Sequence, residues 1–141
     1  MGRFSVFGLG YVGSTMVAAL SSQGHHVVGV DPDAKKRAII EGGGSPVGEA
    51  GIAERIADGR SRGLIDVTPA AADALARTDL AFVCVGTPSR PDGTIDLAAV
   101  HKVTREIAEV QPPAKVGIVY RSTMVPGTMD SLVPILGDRY E

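Results

Sequence analysis

Three spaced glycines, Gly8, Gly10 and Gly13, constrain this chain more than any other feature. They follow a short apolar run containing Phe4 and Val6, which suggests a buried strand, and they open a segment of helical periodicity. Each glycine then has a physical task. Gly8 permits a tight turn out of the strand, Gly10 leaves room for a pyrophosphate against the backbone, and Gly13 lets the helix pack close to the sheet. The unpaired N–H groups and positive dipole end of that helix face the phosphates. The helix is expected over residues 11–23, with Val12, Met16, Ala19 and Leu20 on its packed face.

In a chain with 18 glycines the hexapeptide alone is a weak signal, and its context decides. A second apolar run, His26 to Val30, follows and ends in Asp31. An acid about 20 residues past the glycines accepts hydrogen bonds from the hydroxyls of an adenosine ribose. Strand, glycine turn, helix, strand and acid together predict a bound dinucleotide. The acid favours NAD, because a carboxylate repels a 2′-phosphate. The alternative task for Asp31 is to cap the next helix, expected over residues 32–40 with Pro32 in its first turn. Lys36 lies on the exposed side of that helix, either as solvated surface or within reach of the ribose and adenine edge.

Further along, apolar strands and helices keep alternating. A helix is expected over 51–62, a strand over 64–68, a short helix over 69–77 and a strand over 79–85. A helix capped by Asp96 follows over 97–110, with Val100, Val103, Ile107 and Val110 as its apolar stripe. A strand over 115–121 and a closing helix kinked at Pro134 complete the pattern. This α/β alternation predicts a Rossmann-type, doubly wound parallel sheet in strand order 3-2-1-4-5, with helices on both faces and a single domain over 1–141. Such sheets bind ligands at the carboxyl ends of their strands. The turns at 8–13, at Asp31, at 86–88 and at 122–123 all fall there.

Composition removes several function classes. The formal net charge of −2 gives no general attraction to nucleic acid. No apolar run reaches the ~20 residues that span a bilayer. The chain enters a strand almost from Met1, so the sequence predicts neither signal peptide nor membrane association, and a cytoplasmic location. One cysteine excludes an internal disulfide and a Cys-rich zinc site, and no metal site is expected. Cys84 falls within the apolar run 80–85, where a thiol is expected to serve packing inside a central strand.

Four blocks in order carry a more specific signal: G-L-G-Y-V-G at 8–13, V-G-V-D at 28–31, V-C-V-G-T-P at 83–88 and R-S-T-M-V-P-G-T at 121–128. With the loop at 43–52, they resemble the nucleotide-sugar 6-dehydrogenases that oxidise UDP-glucose or GDP-mannose. The resemblance covers essentially the whole chain. It implies oxidation of a sugar C6 alcohol to a carboxylate with two NAD, through an aldehyde captured by a cysteine and a thioester cleaved by water. It implies that Tyr11 and Val12 contact the dinucleotide, and that Asp31 and Lys36 hold the adenosine ribose. Thr87 would pack along the cofactor, and Thr123 would lie near the nicotinamide. The resemblance also gives the Thr123 hydroxyl a catalytic part in placing the reacting oxygen or water. The alternative for both threonines is turn capping. A nucleotide-sugar substrate and a homo-oligomeric full enzyme are implied as well.

Two departures from the family pattern stand out. Ala50 replaces a usual proline, and the family's catalytic cysteine, lysine and asparagine would lie beyond residue 141. The chain therefore reads as the amino-terminal cofactor domain of a longer enzyme. Two other readings remain open on sequence alone: the NAD-binding domain of another dehydrogenase, such as a β-hydroxyacid dehydrogenase, and a non-catalytic NAD-sensing module.

Overall fold

The structure is a computed structural model that describes residues 1–141. One sheet of five parallel strands holds the chain together: β1 (Arg3–Phe7), β2 (His26–Val30), β3 (Ile65–Thr68), β4 (Leu80–Val83) and β5 (Gly117–Tyr120). Their order is β3-β2-β1-β4-β5, as the alternation predicted. Six helices connect and cover them: α1 (Tyr11–Ser22), α2 (Ala34–Glu41), α3 (Ile52–Ser61), α4 (Ala71–Arg77), α5 (Ala98–Glu109) and α6 (Thr128–Leu136). A 3-10 turn, Gly137–Arg139, leads to Tyr140, which forms a parallel bridge with Val116 beside β5.

Strand periodicity sorts the core into two layers. Val6, Val27, Ile65 and Cys84 belong to a layer with Leu9, Val17, Ala18, Ile40, Ile52 and Ile56, under the first three helices. Phe7, Val28, Val30, Ala81 and Val83 belong to the other, with Leu75, Ile107, Leu136 and Tyr140. Neighbours along a strand point to opposite faces, so Val6 and Phe7 feed different layers. Burial of each such large side chain contributes ~1.5–3 kcal/mol. Tyr140 also reaches the carbonyls of Ile107 and Val110, satisfying the carboxyl end of α5 from across the layer.

Met16 and Leu20 pack half-buried against the core as expected, but the packed face of α1 is centred elsewhere. Gly13, Ser14, Val17, Ala18 and Ser21 are buried, while Val12 is 46% exposed and Ala19 is on the outside. The reason is close approach: a Cβ on Gly13 would sit 1.7 Å from the Gly8 carbonyl oxygen, and one on Gly59 of α3 would sit 2.8 Å from Ser21 Oγ. Small residues make that face, so a search for large apolar ones selects its neighbour.

Other boundaries shift as well. Asp33, not Asp31, caps α2: its carboxylate accepts from the N–H groups of Lys35 at 2.8 Å and Lys36 at 3.4 Å, and Pro32 stays outside the helix. Asp96 does accept from the Ala98 N–H at 2.9 Å, at the start of α5. Pro134 lies inside α6, which continues past it to Leu136. Strand β4 ends at Val83, so Cys84 is the first residue beyond the strand rather than part of it. The apolar run outlasts the parallel ladder by two residues, and periodicity cannot see where a ladder stops.

Candidate functional site

The carboxyl ends of β1, β2, β4 and β5 border a cleft of about 790 Å³. Gly8, Gly10, Tyr11, Val12, Asp31, Lys36, Thr87 and Thr123 all line it. Gly13 does not; it stands behind the turn, where its missing Cβ lets the Gly8 carbonyl pass. Eight of the nine residues singled out from sequence thus meet at one cleft.

The glycine turn is held from two sides. Gly8 has φ +94°, a left-handed conformation that a side chain would strain, and a Cβ there would sit 3.0 Å from the Cys84 carbonyl. The Gly8 N–H donates to the Val30 carbonyl at 2.8 Å, and the Leu9 N–H donates to Asp31 Oδ2 at 2.8 Å. Gly10, by contrast, faces open space: a Cβ there would meet no atom within 4 Å. No side chain caps α1 and no acid occupies its first turn. Its leading N–H groups therefore open onto the cleft beside that space.

Asp31 is 5% exposed and both its oxygens are engaged. Oδ1 accepts from the Asp33 N–H at 2.9 Å, Oδ2 from Leu9, and Lys36 Nζ stands 3.6 Å from Oδ2. Arg37 braces the same corner by donating to the Asp31 carbonyl at 2.7 Å. A carboxylate has about four acceptor positions, so Asp31 retains capacity toward the cleft. Lys36 supplies a cation at its rim.

At the other end, Ser122 does what sequence reasoning left undescribed. Its N–H donates to the Val83 carbonyl at 3.1 Å and its hydroxyl to the Val85 carbonyl at 2.7 Å. This ties the turn after β5 to the end of β4 and presents Thr123, which is exposed, to the same cleft that Thr87 lines. Ser122 is the turn-closing residue, so that work does not fall to Thr123. A serine before a cleft threonine at a strand end was the available signal.

Cys84 also borders the cleft, though 8% exposed, with Sγ 3.6 Å from Met16 Sδ. Burial pushes its thiol up to about 11, against a smaller opposing effect of the Arg121 guanidinium. It is therefore a protonated thiol at neutral pH, and thiolate chemistry needs the anion.

An open space at Gly10, an uncapped helix start, a buried acid and two hydroxyl-bearing strand ends suit a long, doubly anionic ligand with a ribose at one end. The donor set matches a dinucleotide. Comparison with known proteins agrees. Residues 2–141 match the family described as UDP-glucose/GDP-mannose dehydrogenase family, NAD binding domain. GDP-mannose 6-dehydrogenase of Pseudomonas syringae pv. syringae is 44% identical over 139 residues, covering 96% of this chain and 32% of that protein. UDP-glucose 6-dehydrogenase AglM of Haloferax volcanii is 36% identical, covering 99% of this chain and 32% of that protein. A ternary-complex crystal structure of GDP-mannose dehydrogenase from Pseudomonas aeruginosa superimposes with a TM-score of 0.93 at 38% identity, over 97% of this chain and 32% of that one. The chain spans about a third of the length of the relatives it matches. No helix is long and apolar enough to cross a membrane. The chain belongs to the UDP-glucose/GDP-mannose dehydrogenase family, as its NAD-binding domain.

Proposed function

We propose that residues 1–141 form the amino-terminal cofactor domain of a longer, homo-oligomeric nucleotide-sugar 6-dehydrogenase. The reaction would be conversion of a sugar C6 alcohol and water, with two NAD⁺, into a carboxylate, two NADH and three protons. The observation that carries this reading is the convergence of the glycine turn, Asp31, Thr87 and Thr123 on one cleft. GDP-mannose is the favoured substrate, because the relative named for it shares 44% identity against 36% for the one named for UDP-glucose.

Within the site, the open space over Gly10 and the N–H groups starting α1 would take the pyrophosphate, with Tyr11 and Val12 exposed alongside it. Asp31 would accept from the ribose hydroxyls while Lys36 steadies it. Bound NAD supplies the hydride acceptor. Thr87 would flank it at the end of β4, and the Thr123 hydroxyl would position the reacting oxygen or water. No residue here provides the nucleophile, since Cys84 is protonated and buried.

Calorimetry on the 141-residue chain tests the cofactor reading, with NAD expected to bind more tightly than NADP. The substrate reading is tested by joining the chain to the carboxyl-terminal part of a relative. Two NADH per sugar acid from GDP-mannose are expected, and a stoichiometry of one would overturn it.

A further inference from the structure

The two faces of the sheet are not equally covered. On one, Ala81, Val83, Ile118 and Tyr120 of β4 and β5 join the layer that α4, α5 and α6 close. On the other, the layer holds residues of α1, α2 and α3 but of no later helix, and it meets β4 only at Phe82 and the adjoining Cys84. Register sets Val119 of β5 beside Phe82, and Gly117 beside Leu80, on that second face. The Leu80 side chain lies over Gly117, where an added Cβ would come within 2.6 Å of Leu80 Cδ1. Leu80, Phe82 and Val119 are half-buried, as is Phe4, whose ring centroid is 6.0 Å from that of Phe82. Leu80 and Val119 belong to neither layer. Together these side chains make an apolar strip over β1, β4 and β5, about 10 Å wide and about 13 Å long. Arg121 stands at its cleft end. The Arg121 N–H donates to the Val83 carbonyl at 2.8 Å, and its exposed side chain lines the cleft. Its guanidinium acts on the Cys84 thiol and forms no ion pair.

We propose that one amphipathic helix from the remaining chain of the longer enzyme covers this strip, with its apolar side on Leu80, Phe82 and Val119 and a carboxylate at its cleft end paired with Arg121. The inference rests on the longer-enzyme reading above. Parallel sheets are covered on both faces, and here the half over β4 and β5 lacks its cover. A strip about 10 Å wide matches the width of one helix. The unpaired guanidinium at the end of an otherwise apolar strip sets the charge of what meets it, because an arginine pairs most strongly with a carboxylate. A second copy of the domain suits the strip less well. A stable interface takes about 800 Å² from each partner, several times what the strip offers. A tethered segment needs far less area, since its effective concentration is on the order of millimolar. The relatives have the length for such a segment, as this chain spans about a third of them. The cleft end of the helix also stands where the missing nucleophile must arrive, because Cys84 is a protonated thiol. Covering the strip and completing the site are then one event.

The test places Val119→Lys in the 141-residue chain and in that chain joined to the carboxyl-terminal part of a relative. Val119 is half-exposed in the short chain, so Val119→Lys should keep its fold by circular dichroism and its NAD affinity within about twofold. In the joined chain the same change puts an ammonium under the covering helix. The two parts should then melt separately rather than in one transition, and NADH production from GDP-mannose should fall about tenfold or more. Val119→Ile, apolar and of similar shape, should keep the single transition and the activity. Arg121→Gln should lower the melting temperature of the joined chain but not of the short one, where the guanidinium has no ion-pair partner. One transition with full NADH production in joined Val119→Lys would overturn the docking face while the cofactor reading stands. A short chain that sediments as a dimer, and as a monomer with Val119→Lys, would assign the strip to a second copy and overturn the proposal as well. If the unmodified joined chain forms no NADH, the function reading fails, and the melting comparison still decides the face.

Discussion

Asp31 and Leu9 are joined across two strand ends: the backbone N–H in the middle of the glycine turn donates to the carboxylate at 2.8 Å. The acid proposed to hold the ribose is therefore also a strut of the glycine turn. With its other oxygen accepting from Asp33, it fixes the exits of β1 and β2 relative to each other. One residue couples two halves of the site, so its removal should be felt as stability and as affinity together.

Asp31→Ala is expected to lower unfolding free energy by about 1.5–3 kcal/mol, because it leaves the buried Leu9 N–H without its charged acceptor. It should also weaken NAD and narrow the preference for NAD over NADP. Urea denaturation and calorimetry measure the two effects. Tighter binding of NADP by the unmodified chain would remove the ribose role, and unchanged stability in Asp31→Ala would remove the strut.

Two glycines of the same turn should fail in opposite ways. At Gly10 an added Cβ meets nothing within 4 Å, so Gly10→Val should fold normally and lose NAD binding by about a hundredfold or more. At Gly13 an added Cβ would lie 1.7 Å from the Gly8 carbonyl oxygen, so even Gly13→Ala should destabilise the chain, by about 1–3 kcal/mol or more. Thermal unfolding with and without NAD separates the two. Normal NAD affinity in folded Gly10→Val would take the turn out of the site.

Ser122 and Thr123 divide scaffold from site. Ser122→Ala removes the bond to the Val85 carbonyl and should cost about 1 kcal/mol in urea denaturation. Thr123→Ala removes an exposed hydroxyl and should leave stability within about 0.5 kcal/mol. In an active full-length enzyme Thr123→Ala should lower kcat, whereas a change in stability from Thr123→Ala would assign it to the turn instead.

What the sequence revealed was set by how local each requirement is. The glycine spacing dictates a turn that Gly8, Gly10 and Gly13 satisfy through their own backbone, so the turn was legible, as was the strand order from the α/β alternation. The packed face of α1 depends on how near another element comes, and Val17, Ala18 and Ser21 give no large-residue stripe to read. Asp31 and Asp33 are both capping types two residues apart, and only the Leu9 contact tells which is free to cap. The described catalytic part for Thr123 rests on resemblance, while its exposure at the cleft is a property of the fold.

Cys84 supplies the last prediction, because its position invites a catalytic role that its environment denies. It borders the cleft beside Gly86 and Thr87, where a nucleophile could be sought. Burial nevertheless raises its thiol to about 11, more than Arg121 offsets. The chain is therefore expected to bind NAD yet produce no NADH from GDP-mannose or UDP-glucose, and Cys84→Ser should bind NAD as the unmodified chain does. The same shift fixes a pH dependence. A thiol whose folded value exceeds its unfolded one holds its proton more tightly when folded, so its stabilising effect is complete below the unfolded value and is lost as pH rises through the folded one. The window lies between 9.0, the ordinary thiol value, and about 11. Over that range the unmodified chain should lose more stability than Cys84→Ser, by denaturation at matched pH. Rapid alkylation of Cys84 at neutral pH, or NADH formation abolished by Cys84→Ser, would make it a reactive thiolate and return it to the list of candidate nucleophiles.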